Sequence, residues 1–265
     1  MDKDTIKRLI IEYQQFVANI TLIEREIHLS HQLNYVFVGL RRAGKSYLMY
    51  QQIQSLLNDG HQPEEILYFN FEDDRLVNLT VEDLDLIKVS YEELYPHKPI
   101  FFLDEIQIVE HWEKFARRLA DQQYRVYITG SNAKMLSAEI ATTLGGRYIV
   151  QNVYPFSFSE FLKASKIEIG PTWYYKNRTE IVRTFSDYFS YGGLPELMLI
   201  ETIEKRQWLS NLFNKIFFGD LITRYSIRND LAMKVLIRKL AESVKQPSSF
   251  NRLTNIVSTT GAKVS

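Results

Sequence analysis

The eight residues Gly39-Leu40-Arg41-Arg42-Ala43-Gly44-Lys45-Ser46 constrain this chain more than any other feature. They fit the spacing G-x-x-x-x-G-K-[ST]. Glycine at both ends lets the backbone wrap closely around a phosphate without Cβ clashes. The backbone N–H groups, together with the N-terminus of a following helix, supply positive potential. Lys45 can reach the β- and γ-phosphates of a nucleotide, and the Ser46 hydroxyl is an oxygen ligand suited to Mg2+. The flanking residues agree with this reading. Tyr35-Val36-Phe37-Val38 is a short β-branched and aromatic run that predicts a buried strand, and Tyr47 to Leu57 has helical periodicity.

The alternation continues down the chain. Strands are predicted at residues 66–71, 100–103, 125–128 and 147–153, and helices at 81–94, 112–120 and 133–140. The first thirty residues read as helix, with Ile6, Ile10, Tyr13 and Phe16 at helical spacing. Continuous apolar strands separated by amphipathic helices imply an α/β fold, a parallel five-stranded sheet between helices. The predicted third strand, Ile100-Phe101-Phe102-Leu103, runs into Asp104 and Glu105. Ionised carboxylates at the end of a buried strand need a cation or water nearby. Mg2+ behind the phosphates provides that for Asp104, and Glu105 is then placed to orient or deprotonate an attacking water. With the phosphate loop, this strand end marks a P-loop NTPase.

Composition narrows the classes further. Lys plus Arg and Asp plus Glu both number 32, which excludes a uniformly basic nucleic-acid coat but not a local basic patch. No cysteine is present, so disulfides, zinc–thiolate sites and cysteine nucleophiles are excluded. No apolar run approaches the ~20 residues needed to span a bilayer. The expectation is a soluble, cytoplasmic protein with no metal site beyond Mg2+. The five histidines read as ordinary surface residues, and the tryptophans as packing groups.

The segments GLRRAGKS, YFNFEDDRL, FFLDEIQIVEHWEKFARRLAD, YITGSNAKML, GGRYI, YPFSFSEFL and GGLPEL occur in an order that resembles prokaryotic AAA-type, STAND-like ATPases carrying a further C-terminal domain. The resemblance covers about residues 20 to 200. It implies ATP or ADP with Mg2+, a five-stranded core, a helical lid and a winged helix. The expected nucleotide-binding residues are Gly39, Leu40, Arg41, Arg42, Ala43, Gly44, Lys45, Ser46 and Tyr47, with Ser46 and Asp104 on the metal. Ser131 and Asn132, after the fourth strand, match the place where the family senses the γ-phosphate, although Asn132 also suits a helix N-cap. Arg147, after Gly145-Gly146, resembles a residue that contacts the γ-phosphate of its own or a neighbouring subunit; a surface ion pair is the alternative. Pro195 of Gly193-Leu194-Pro195 is similar to the lid proline that packs on adenine, or it simply breaks a helix. The expected catalytic set is Glu105, Lys45, Asn132 and Arg147. Asn70 or Glu72 could hydrogen-bond Glu105 and keep it from water.

Three regions are expected: residues 1–153 as the ATP-binding core, 154–228 as a helical lid, and 229–265 as the start of a winged helix. Residues 221–265 hold eight Lys or Arg against two acids, so DNA is a candidate partner, with a protein-packing winged helix as the alternative. The order helix, helix, Gly turn, helix start suggests a chain that stops before a recognition helix and further domain. The leading functional expectation is an ATP-hydrolysing switch, with a homo-oligomer as a candidate assembly. The alternative is a nucleotide-dependent binding scaffold with little turnover. A GTPase is disfavoured because no N-K-x-D motif is present.

Overall fold

A computed structural model describes residues 2–76, 79–130, 143–167, 170–172, 175, 177–223, 225–244 and 249–258. The chain divides into two compact units, residues 1–201 and 202–265.

The first unit is built on five parallel strands: β1 (Tyr35–Val38), β2 (Ile66–Asn70), β3 (Ile100–Asp104), β4 (Val126–Gly130) and β5 (Ile149–Asn152). Their order across the sheet is β2-β3-β4-β1-β5. The helices are α1 (Lys3–Asn19), α2 (Lys45–Asn58), α3 (Val81–Leu94), α4 (Trp112–Asp121), α5 (Phe158–Ala164) and α6 (Arg178–Tyr191). The inner strands are apolar up to their carboxyl ends because both faces are covered. Successive side chains alternate between the faces. Val36, Val38, Phe101, Leu103, Val126 and Ile128 pack with Leu84 and Ile87 of α3 and Phe115 and Leu119 of α4. Tyr35, Phe37, Tyr68, Phe102 and Tyr127 pack with Leu48, Met49 and Ile53 of α2.

This topology positions the site. From β1 the chain passes to β2 on one side of the sheet, whereas β5 lies on the other side of β1. Connections that diverge in this way leave a crevice at the carboxyl ends of the strands, where ligands bind in open parallel sheets. Phe37 stands opposite Thr129, Val38 opposite Gly130, and Asn70 opposite Asp104, so the ends of β1 to β4 share one edge.

Several expectations need correction. The N-terminal helix stops at Asn19, and Ile20 is already extended at ψ 134°. Residues 20–34 are not helical because their side chains and backbone are spent on anchoring, as shown below for Arg25. Within the expected helical lid, the segment after residue 201 is α-helical only over Thr202–Asn214 (α7) and then π-helical over Lys215–Thr223. The Thr223 hydroxyl follows the wider spiral, donating to the Phe218 carbonyl five residues back at 2.7 Å. Helices α5 and α6 fall in the same compact unit as the sheet. A buried ion pair between Arg25 and Glu160 ties the start of α5 to the segment before β1.

The second unit contains α7, the π-helical turns, α8 (Asp230–Glu242) and α9 (Phe250–Ser258). Ser249 caps α9 by accepting the Arg252 N–H at 3.2 Å. Val257 of α9 is buried, but Phe250 is 90% exposed. The predicted helix at 133–140 and the turn at 260–263 lie outside the described residues. No described helix is long and apolar enough to cross a membrane.

Candidate nucleotide site

The loop from Gly39 to Gly44 connects β1 to α2, with Lys45 as the first helical residue. A Cβ on Gly39 would overlap the Val153 carbonyl oxygen, so the first glycine is required by close approach of the chain after β5. Gly44 has φ +95° and Arg42 φ +66°, left-handed values that bend the loop into a concavity. Such concavities direct N–H groups at anions. Ala43 N–H donates back to the Leu40 carbonyl at 3.1 Å and closes the turn.

Lys45 is 5% exposed. Its Nζ donates to the Gly39 and Leu40 carbonyls at 3.3 and 3.2 Å and lies 3.9 Å from Glu105 Oε1. Burial lowers its pKa, and the negative charges of Glu105 and Asp104 work the other way.

Asp104, at the end of β3, is 2% exposed and accepts hydrogen bonds from two hydroxyls. Tyr68 on β2 donates to Oδ2 at 2.7 Å and Thr129 on β4 donates to Oδ1, while the Ser46 hydroxyl lies near enough to stabilise the charge. Burial raises the Asp104 carboxyl above the ordinary range, the three hydroxyls offset part of that, and Glu105 adds to it. Tyr68 is itself backed by Tyr50, hydroxyl to hydroxyl, at 3.0 Å. The two residues expected on the metal, Ser46 and Asp104, are thus brought together. A hydroxyl and a carboxylate are the hard oxygen donors that Mg2+ takes alongside water and phosphate, so the residues fit that ion. Among the described residues no cluster of three or more His, Asp or Glu forms a separate metal site.

Glu105 has φ +57°, an uncommon conformation for a residue with a Cβ. The cost is roughly 1–2 kcal/mol, and such outliers concentrate where geometry serves chemistry. The left-handed turn is held from both sides. Glu105 N–H donates to Thr129 Oγ1 at 2.9 Å, and Gln107 donates to Glu105 Oε2. Asn70 accepts the Glu72 N–H at 2.9 Å, and Glu72 pairs with Arg41 at 3.5 Å.

Pro195 lies beside the loop, its Cγ 3.8 Å from the Cβ position of Gly44, and Arg42 pairs with Glu196. Leu40 and Tyr47 are about half exposed on the loop's outer side. The structure does not bring Arg147 to the loop. It precedes β5 and pairs with Asp121 at 2.5 Å, while its carbonyl accepts from Asn34, just before β1. Those are the amino ends of the strands, and the four residues of β1 separate them from the loop by about 13 Å. Ser131 and Asn132 lie outside the described residues.

One further group was not anticipated. Arg25 is buried directly behind the loop, where Nη1 donates to the Ala43 carbonyl at 3.0 Å and Nη2 to the Tyr154 carbonyl at 2.8 Å. Nε and Nη2 hold Glu160 at 2.8 and 3.3 Å. Glu160 also accepts the N–H groups of Glu26 and Ser157, and the Ser157 hydroxyl accepts the Glu160 N–H to complete a capping box at the start of α5. Burial opposes the Glu160 charge, but Arg25 and the two backbone donors outweigh it and lower its pKa. Breaking one side of such a buried pair costs roughly 3–5 kcal/mol. The pattern Ser157-x-x-Glu160 was readable as a capping box. Arg25, flanked in sequence by Glu24 and Glu26, was not readable as its partner.

Residues 31–162 match the family model described as an AAA domain. Over this segment the chain is similar to AAA domains. Curated relatives share its sequence beyond that segment. An uncharacterised protein from Methanocaldococcus jannaschii is 33% identical over 99% of this chain and 59% of its own length. One from Haemophilus influenzae is 33% identical over 88% of this chain and 59% of its own length. The chain therefore spans about three fifths of the length of these two relatives. Among solved structures, Cdc6p from Pyrobaculum aerophilum aligns with 97% of this chain and 78% of its own, at 13% identity and a TM-score of 0.39. That similarity carries no argument about what this chain does.

Proposed function

We propose that this chain binds Mg-ATP in the loop between β1 and α2 and acts as a nucleotide-dependent switch that holds or releases a partner, with slow hydrolysis. The observation that carries the reading is the convergence of Ser46, Asp104 and Lys45 around one concave loop at the carboxyl edge of the sheet. Loop N–H groups and Lys45 bind the phosphates. Ser46 and Asp104 hold Mg2+, which when bound neutralises charge on the outer phosphates. Tyr68 and Thr129 keep the Asp104 carboxylate in place. Glu105 is the group suited to accept a proton from water, and Pro195 is placed to border the nucleotide.

Slow turnover is supported by the state of Glu105. Gln107 donates to one of its oxygens and Lys45 stands 3.9 Å from the other. A carboxylate engaged in this way has to be released before it can polarise water. The partner is proposed to be a protein or DNA. In residues 202–265, Lys234, Arg238 and Lys239 lie within ion-pair reach of Asp230 or Glu242, which favours a protein. Any contact of Arg147 with a γ-phosphate would come from a neighbouring copy.

Equilibrium binding of Mg-ATP and Mg-ADP, followed by a single-turnover assay, tests this reading. Expected are micromolar binding that Lys45→Ala removes and hydrolysis far below the ~10 per second typical of enzymes. Absence of binding overturns the reading, and turnover near that typical rate replaces the switch with a hydrolase. Light scattering with and without ATP, and anisotropy with labelled duplex DNA, separate self-association from DNA binding.

A further inference from the structure

Arg25 does more than neutralise Glu160. A guanidinium is planar, so a carboxylate on its Nε–Nη2 edge fixes the direction in which Nη1 points. Here Glu160 occupies that edge, and Nη1 points at the carbonyl of Ala43 in the phosphate loop. That carbonyl shares a peptide with the Gly44 N–H. In a trans peptide the C=O and N–H point in opposite directions, so holding the Ala43 oxygen against Arg25 turns the Gly44 N–H away from Arg25, toward the concave side of the loop. The Arg25 backbone is fixed to the helix that follows the loop: its N–H donates to Gln51 Oε1 at 2.7 Å, and its carbonyl accepts from Gln51 Nε2 at 3.2 Å. The guanidinium also covers the Phe156 ring at 5.0 Å.

We propose that Arg25 is a positioning residue that keeps the Ala43–Gly44 peptide in its phosphate-receiving orientation, and that Glu160 makes this orientation depend on the docking of residues 154–164. The coupling is reciprocal. Phosphate drawn onto the Gly44 N–H tightens the Ala43 carbonyl on Arg25 and, through it, the start of α5. Loosening of α5 frees the peptide to rotate and weakens phosphate binding. The segment that reports nucleotide occupancy is therefore 154–164, which follows the edge strand β5. This inference rests on nucleotide binding at the loop.

Hydrogen–deuterium exchange of the unmodified chain, with and without Mg-ADP, tests it. Slower exchange is expected in residues 39–46 and also in 22–27 and 154–164. Protection of 39–46 with no change in 154–164 overturns the inference and leaves the nucleotide site standing. No protection at 39–46 removes the nucleotide site and this inference with it. Arg25→Lys adds a second readout: one ammonium cannot hold Glu160 by a fork and reach Ala43 as well. The expected loss is about tenfold or more in ADP affinity, the scale of one hydrogen bond to a charged group. A folded Arg25→Lys protein with ADP affinity within about twofold of the parent, well under that scale, overturns the inference. If that variant does not fold, the exchange experiment alone decides.

Discussion

The Thr129 hydroxyl donates to Asp104 Oδ1 and at the same time accepts the backbone N–H of Glu105 at 2.9 Å. One side chain of β4 thereby sets the position of the proposed metal ligand and the backbone of the proposed water-activating residue. It can do so because the parallel register sets β4 beside β3, with Leu103 opposite Ile128.

Thr129→Val keeps the shape and removes both hydrogen bonds. It should weaken the dependence of ATP binding on Mg2+ by about tenfold and destabilise the chain by roughly 1–3 kcal/mol, because the Glu105 N–H and an Asp104 oxygen lose their partner. Tyr68→Phe should have the smaller effect on metal dependence, since Thr129 still holds Asp104. Magnesium titrations of nucleotide binding, with thermal melts, check both. Equal metal dependence in parent and Thr129→Val would remove Thr129 from this role.

Glu105→Gln should bind Mg-ATP with near-parental affinity and hydrolyse it at least tenfold more slowly, because an amide accepts no proton from water. Gln107→Ala should act in the opposite direction, raising single-turnover hydrolysis by freeing the carboxylate. Parental rates in both variants would mean that Glu105 neither activates water nor is restrained by Gln107.

Acid and base flanks of binding should both move inward. Asp104 must be ionised to hold Mg2+, and burial raises its pKa; as pH falls through that value, binding has to expel a proton and affinity drops. Lys45 must be protonated, and burial lowers its pKa; as pH rises through that value, binding has to take up a proton and affinity drops again. Calorimetry across pH should give a bell narrower than the ordinary limits of ~3.9 and ~10.4. The same raised Asp104 costs the ligand-free chain stability as pH climbs from the ordinary carboxylate value to the raised one. A binding plateau with no flanks inside those limits would contradict the assignment of either residue.

Gly39→Ala should destabilise the chain by roughly 1–3 kcal/mol, an overpacking cost, since the new methyl group meets the Val153 carbonyl oxygen. Nucleotide affinity should fall with it, because relief requires β1 or the segment after β5 to shift under the loop. A melt that matches the parent would show that the chain after β5 yields freely.

By itself the sequence determined the strands, the loop and the acidic pair. Each is a local signal: an apolar run bounded by turn residues, a fixed glycine and lysine spacing, a carboxylate that ends a buried strand. Helix α3 falls on the predicted residues 81–94, and β1 on 35–38. The tertiary structure decided which distant side chains meet. Thr129 and Tyr68 reach Asp104 only because β4 and β2 flank β3, an arrangement that no single strand's pattern encodes. Arg25 and Glu160 are 135 residues apart, and their pairing arises from folding both segments against the loop. Arg147 lies at the amino edge of the sheet because parallel strands place every strand start opposite the loop edge, however suggestive Gly145-Gly146-Arg147 looks in one dimension. Local spacing encodes backbone geometry, whereas the pairing of buried charges and hydroxyls is settled by desolvation, which acts only once the elements have packed.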